Sequence, residues 1–359
     1  MVAAVVQQIA HKFFESQCFS RVVPATPLHG LKAVPELSAG EFLLQGGAPF
    51  FQKKYQVPGL PLVVRGYTEV WPAMSKWQNI SYFGGKICEK FQIRSWGMSL
   101  RDYTAMLAAL ENEHSAEEFS AMTQLGEYYF KHNEDLFFEC PVLYDDVLGF
   151  PLVRAHASKA GTLVSDLARW IIGLFAVESL PLDFVNGDWI QAVTWIGPPG
   201  SKTLLHYDDD PLSLLFQFRG RKHVRMWSSD QSQMLYPNSV CDNLNEYGTR
   251  FSRFKGNPMS MSQAEKQAFP LLPIAKYLDV VLHPGDMLYI PSGWWHYVSV
   301  WGAVYGESDK LAKTSLSVAA RSYSTCEGLS YLPSFIANWI HEQGIWDMRG
   351  FCITPAEIK

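Results

Sequence analysis

The sequence predicts a mainly β protein with helical additions, built on an antiparallel sandwich or barrel. Three observations carry this reading. From about Asp183 onward the chain runs in short β-branched and aromatic segments broken by Gly, Pro and Asp, the texture of closely packed antiparallel strands. Two tight turns, Arg219-Gly220-Arg221 and His283-Pro284-Gly285-Asp286, stand between such segments and read as hairpin joints. The composition, 48% apolar, 14% aromatic and 18% charged over 359 residues, is enough to bury a large core and excludes a disordered or collagen-like chain.

The elements follow in order. Val5, Val6, Ile9, Phe13 and Phe14 fall at helical spacing and predict an opening amphipathic helix, followed by a Pro-containing linker from Val23 to Pro35. Leu60 to Gly66 reads as a short strand closed by glycine, with Trp71-Pro72-Ala73 and Trp77 behind it. Ser99 to Glu111 and Ser115 to Tyr129 read as helices, with Ser99 and Ser115 as N-caps. Strands are then expected at Trp189 to Ile196, Thr203 to Tyr207, Leu212 to Phe218, His223 to Trp227, Val280 to Leu282, Met287 to Ile290, Trp295 to Val300 and Ser315 to Ala320. The tail from Glu327 to Met348 reads as helical, with Tyr331, Phe335 and Trp339 on one stripe.

Charge and cysteine usage narrow the class. The formal net charge is −5 and no block of like charge is present, so no nucleic-acid partner is indicated. The longest apolar run, Trp170 to Val177, is too short to span a bilayer, and no basic region precedes the apolar stretch at the N-terminus. The six cysteines form no CxxC pair, which predicts reduced thiols and a cytoplasmic or nuclear location.

The chemistry-bearing residues begin at His206-Tyr207-Asp208, at the end of an expected strand. Side chains at i and i+2 of a strand share a face, so His206 and Asp208 converge. His296, in a later strand, supplies a third candidate ligand. Two imidazoles and one carboxylate make the facial triad of non-haem Fe(II) oxygenases, which leaves three coordination positions open. The remaining eight histidines are read as ordinary surface or core residues. A bare His-x-Asp is weak evidence; the strand pattern around both halves, which suits a jelly roll, is what strengthens it.

Two strings make a resemblance explicit. Trp195-Ile196-Gly197-Pro198-Pro199-Gly200, Thr203 to Asp208, Gln217 to Lys222 and Leu235-Tyr236-Pro237 resemble the first half of a JmjC domain. Leu282 to Pro291 and Trp294-Trp295-His296-Tyr297-Val298 resemble its second half. The upstream Pro61 to Gly66, Trp71-Pro72-Ala73 and Trp77 are similar to the entry segment of the small JmjC hydroxylases, the group of factor inhibiting HIF and the JmjC arginyl hydroxylases, so the resemblance runs from about residue 58 to 320.

That resemblance implies a double-stranded β-helix core of cupin type with an N-terminal α/β segment and C-terminal helices. It divides the chain into a helical and linker segment (1–57), an entry region with helices (58–182), the JmjC core (183–322) and a helical tail (323–359). It implies His206, Asp208 and His296 as the catalytic iron ligands, Fe(II) as metal, and 2-oxoglutarate and O2 as cosubstrates. Lys222 takes the family position that holds the distal carboxylate of 2-oxoglutarate, with Arg221 beside it as the alternative in register. Thr203 matches the hydroxyl that shares that carboxylate, and Tyr129 matches the family tyrosine, a position Tyr128 fits nearly as well. Ser213 stands at a cosubstrate-facing position where many relatives carry Asn, and Ala319 where several carry a second Asn. Taken without the family, Lys222 is a solvated turn charge, Thr203 a β-former, and Trp294-Trp295 core packing.

The expected activity is therefore an Fe(II)- and 2-oxoglutarate-dependent oxygenase that hydroxylates a protein or peptide side chain. Histone lysine demethylation and tRNA-base hydroxylation are the alternatives within the class. A catalytically silent cupin-type binding protein, suggested by Ser213 and Ala319, is the alternative outside it. The C-terminal helices are expected to form a homodimer interface or a lid, and 149–180 and 301–313 are read as insertions over the core.

Overall fold

A computed structural model describes residues 28, 30–85, 88, 91–93, 96–112, 129–132, 135–157, 183–185, 188–208, 210, 212–238, 249–301 and 314–322. The N-terminal helix, the helical tail, nearly all of the 115–129 helix and most of both insertions lie outside the described residues. Among the described residues there are fifteen strands: β1 Glu36–Ser38, β2 Leu62–Arg65, β3 Gln92–Ile93, β4 Met98–Ser99, β5 Phe130–His132, β6 Asp183–Val185, β7 Asp188–Gly197, β8 Lys202–Asp208, β9 Leu212–Arg219, β10 Arg221–Trp227, β11 Thr249–Phe251, β12 Leu278–Leu282, β13 Met287–Tyr289, β14 Trp295–Trp301 and β15 Ser315–Ser322. Tyr129 belongs to no helix; it is the residue before β5.

Two sheets face each other. The larger has eight strands, in the order β1-β2-β13-β9-β15-β7-β5 with β6 also on β7; the smaller runs β11-β8-β14-β10-β12. β9 and β15 are buried on both faces, so their outward residues are apolar as well: Leu214, Phe216 and Phe218, with Leu316, Val318 and Ala320, pack under the helical layer. Their inward residues alternate with these. Leu215 and Ala319 join Val193, Trp195, Val224, Met226, Leu288, Trp294 and Val298 in the core between the sheets. A third cluster, around Leu205, Trp227, Trp295 and Tyr297, covers the outside of the smaller sheet beneath segments 229–235 and 263–275.

The two tight turns are not hairpins. β9 lies in the large sheet and β10 in the small one, and β12 and β13 are divided in the same way, so each turn carries the chain from one sheet to the other. This is how a double-stranded β-helix is wound, and the local turn chemistry is the same for both uses. Gly220 (φ +64°) is held tightly here, since a Cβ would lie 2.8 Å from the Thr314 carbonyl oxygen.

The helical layer starts as the sequence suggests. Pro72 opens the helix Pro72–Lys76, and the Ser99 hydroxyl accepts from the Asp102 amide (3.0 Å) ahead of Leu100–Asn112. Asp146, fully buried, accepts from Lys76, from Trp77 Nε1 (3.0 Å) and from the Tyr82 hydroxyl (2.8 Å), and so ties the entry segment to Val142–Asp146. One expectation is corrected: Cys88 and Cys140, both buried, form a disulfide with Cα atoms 5.6 Å apart. They are 52 residues apart, and only packing of the entry segment on Asp135–Glu139 brings them together.

Candidate metal centre and cosubstrate pocket

β8 carries His206 and Asp208, and β14 carries His296 directly opposite His206 in the ladder. One ligand atom from each of the three lies within 4.8 Å of the others, and all three residues are buried. His206 Nε2 is 3.9 Å from Asp208 Oδ1, and His296 Nε2 is 3.8 Å from Asp208 Oδ2. Each ring points Nε2 inward because its Nδ1 hydrogen-bonds a carbonyl two residues back, Leu204 for His206 (2.7 Å) and Trp294 for His296 (3.1 Å). That bond fixes the tautomer and leaves Nε2 as the donor to a metal. Burial pushes the His206 imidazole down to about 3 and lowers that of His296 as well, so both are neutral near pH 7. Phe251 stacks on His206, with ring centres 5.2 Å apart.

The residues expected to hold the cosubstrate sit further along the same interior. Lys222 is 1% exposed, whereas Arg221 is only partly buried. The Lys222 ammonium donates to the Ser317 hydroxyl and lies 5.6 Å from the Tyr129 ring centre and 5.5 Å from that of Trp195. Burial pushes its pKa down to about 7. Thr203, three residues before His206, would face the other way in a regular strand. The ladder between β8 and β14 has a bulge: His206 pairs with His296 but Thr203 pairs with Val298. Leu205 turns outward as alternation from His206 requires, and the extra residue on β8 then restores the parity, so that the Thr203 hydroxyl faces that of Tyr129. Among the described residues the buried Tyr129 hydroxyl closes no hydrogen bond of ordinary geometry, although it meets that of Thr203, and burial raises its pKa. Tyr128, the alternative, lies outside the described residues.

Ser213 is buried on β9, level with Arg321 of β15, at the metal end of the interior. Ala319 lies between Ser317 and Arg321 on β15, opposite Val193 and Leu215. Sequence reasoning missed two residues of this face. Ser317 meets Lys222, and Arg321 donates through Nη2 to Asp208 Oδ2 at 2.9 Å. Counting by twos from Ala319 along the strand would have found both.

The cluster fits an iron and a dicarboxylate. Two imidazoles and a carboxylate are the donor set of a non-haem Fe(II) site. Among the described residues no carboxylate pairs with the buried Lys222, and the buried Tyr129 hydroxyl, which meets only a hydroxyl at Thr203, closes no hydrogen bond of ordinary geometry. A buried ammonium and an orphaned donor of this kind suit an incoming carboxylate.

Residues 48–319 match the model of the Cupin-like domain. The chain belongs to this family, as a JmjC-type cupin. It is 24% identical over 259 residues to Lysine-specific demethylase JMJ30 of Arabidopsis thaliana, covering 69% of this chain and 49% of that protein. It is 25% identical over 290 residues to Jumonji C domain-containing protein 5 of Drosophila melanogaster, covering 76% and 61%. A shorter stretch of 115 residues is 31% identical to HSPB1-associated protein 1 homolog of Danio rerio, covering 32% and 24%. This JmjC-type cupin thus spans about half to three fifths of the first two relatives. Among its described residues no helix is long and apolar enough to cross a membrane.

Proposed function

We propose that this JmjC-type cupin is an Fe(II)- and 2-oxoglutarate-dependent oxygenase that hydroxylates a side chain of a protein or peptide. The observation that carries the reading is the buried His206, Asp208 and His296 triad, set in one interior with a buried Lys222. His206 and His296 would hold Fe(II) through Nε2, and Asp208 through its carboxylate. When bound, iron and 2-oxoglutarate would supply oxidation of a C–H bond by O2, one oxygen atom going to the substrate and the other to succinate, with release of CO2.

The chain's own residues do the rest. Lys222, with Thr203 and Tyr129, would receive the distal carboxylate, with Ser317 as a further hydroxyl on the ammonium. Ser213 and Ala319 would border the cosubstrate between this end and the metal. The core residues Val193, Leu215 and Trp195 exclude water around it. The Nδ1 protons of both histidines stay on the rings, donated to the carbonyls of Leu204 and Trp294.

Lysine demethylation is the second reading, favoured by the relative named Lysine-specific demethylase JMJ30. A cytoplasmic or nuclear location is proposed with either reading. The test is succinate formation from 2-oxoglutarate with Fe(II) and ascorbate, followed by a screen of peptides and of methylated lysine peptides. Turnover that vanishes in Asp208→Ala is expected. Wild-type protein that neither turns over nor binds 2-oxoglutarate would leave a catalytically silent cupin as the reading.

A further inference from the structure

Arg321 sits where a cation is not obviously welcome. Its side chain is 12% exposed, at the metal end of the inward face of β15. Nη2 is 2.9 Å from Asp208 Oδ2, and Nη1 is 3.1 Å from Oδ2 of Asp210, which is itself 2% exposed. A fixed positive charge against a metal-binding carboxylate opposes a dication by simple repulsion. The second carboxylate offsets that charge, so the pair of contacts serves geometry more than it serves field strength. A guanidinium is suited to this because its rigid planar fork fixes the angle between the hydrogen bond to Asp208 and the ion pair with Asp210, whereas the rotating donors of an ammonium do not.

A carboxylate can bind a metal through one oxygen or through both, and the second mode occupies one coordination position more. We propose that Arg321, anchored by Asp210, is a positioning residue that engages Oδ2 of Asp208 and thereby confines this ligand to metal binding through Oδ1. The three remaining positions of a facial triad are then kept open for cosubstrate and oxygen. This rests on the iron site of the preceding section, and it extends the ligand set to the groups that orient it.

The experiment uses the full chain loaded with Co(II) under argon, read by its visible absorption spectrum, by titration of Co(II), and then by titration of 2-oxoglutarate into the cobalt form. None of these readouts requires turnover. Arg321→Gln is expected to alter the Co(II) spectrum and to tighten Co(II) binding, because the released Oδ2 can add a bond to the metal and a nearby positive charge is gone. 2-Oxoglutarate should bind about 10-fold or more less tightly to that cobalt form, which has one open position fewer. Arg321→Lys, which returns the charge but not the rigid fork, should recover only part of the 2-oxoglutarate affinity.

A purely structural role would lower the melting temperature of Arg321→Gln and leave the spectrum and affinity of the folded protein at wild-type values; that result overturns the proposal. Should Arg321→Gln not fold, Asp210→Asn keeps all three ligands and the guanidinium but loosens its anchor, and a wild-type spectrum and affinity there would overturn it equally. Wild-type protein that binds no Co(II) would instead overturn the metal reading, and this proposal with it.

Discussion

The ammonium of Lys222 lies 5.6 Å from the centre of the Tyr129 ring, and among the described residues the Tyr129 hydroxyl meets that of Thr203 without closing a hydrogen bond of ordinary geometry. With burial holding Lys222 down at about 7, binding of a carboxylate there depends on pH. Above that value the free pocket holds a neutral amine, and carboxylate binding must draw a proton from solution. The affinity for 2-oxoglutarate is therefore expected to be flat below pH 7 and to fall by up to tenfold per unit above it. Calorimetry in buffers of different ionisation enthalpy should show proton uptake at pH 8 and little at pH 6. Equal affinity and no proton uptake at both would contradict the assignment.

The same group sets a stability trend. In the unfolded chain Lys222 keeps its proton up to about 10.5, while in the folded protein free of cosubstrate it loses it near 7. The unfolded state thus binds more protons between these values, so this residue's contribution to stability rises with pH across that window. Lys222→Met removes the buried charge and is expected to stabilise the protein by about 1–2 kcal/mol at pH 6 while abolishing stabilisation by 2-oxoglutarate. A lower melting temperature for this variant at pH 6 would show that the ammonium is satisfied within the chain.

Ala319 lies on the face of β15 between the residue that touches Lys222 and the residue that touches Asp208. A larger apolar side chain there would project, among Val193 and Leu215, into the path proposed for the cosubstrate. Ala319→Leu is expected to weaken 2-oxoglutarate binding at least about tenfold, at a packing cost of about 1–3 kcal/mol, with Co(II) binding retained. Retention of wild-type 2-oxoglutarate affinity would move the cosubstrate to another path.

Asp146 offers a contrast far from the metal. It takes hydrogen bonds from Lys76, Trp77 and Tyr82 while fully buried. Asp146→Ala leaves those donors without their acceptor and is expected to cost about 3–5 kcal/mol in denaturant unfolding. The folded fraction should bind metal as the wild type does. A loss below about 1 kcal/mol would mean that water replaces the carboxylate.

The sequence by itself determined the core strands from β7 to β10 and from β12 to β15, because alternation and turn residues are local properties. It also placed His206 and Asp208 on one face, since i and i+2 of a strand always share one. Tertiary structure decided the rest. Both glycine turns were legible as turns, but only the winding of the chain shows that they join different sheets. Thr203 reaches the Tyr129 hydroxyl through a bulge whose existence depends on the partner strand. Lys222 is buried and Arg221 only partly so because β10 turns one face toward Trp195, Tyr129 and Ser317, and no local pattern around a polar turn reports that. Cys88 with Cys140, and Arg321 with Asp208, are likewise contacts across 52 and 113 residues. Periodicity fixes which way a side chain faces within its own element, whereas what it faces is set by packing between elements distant in the chain.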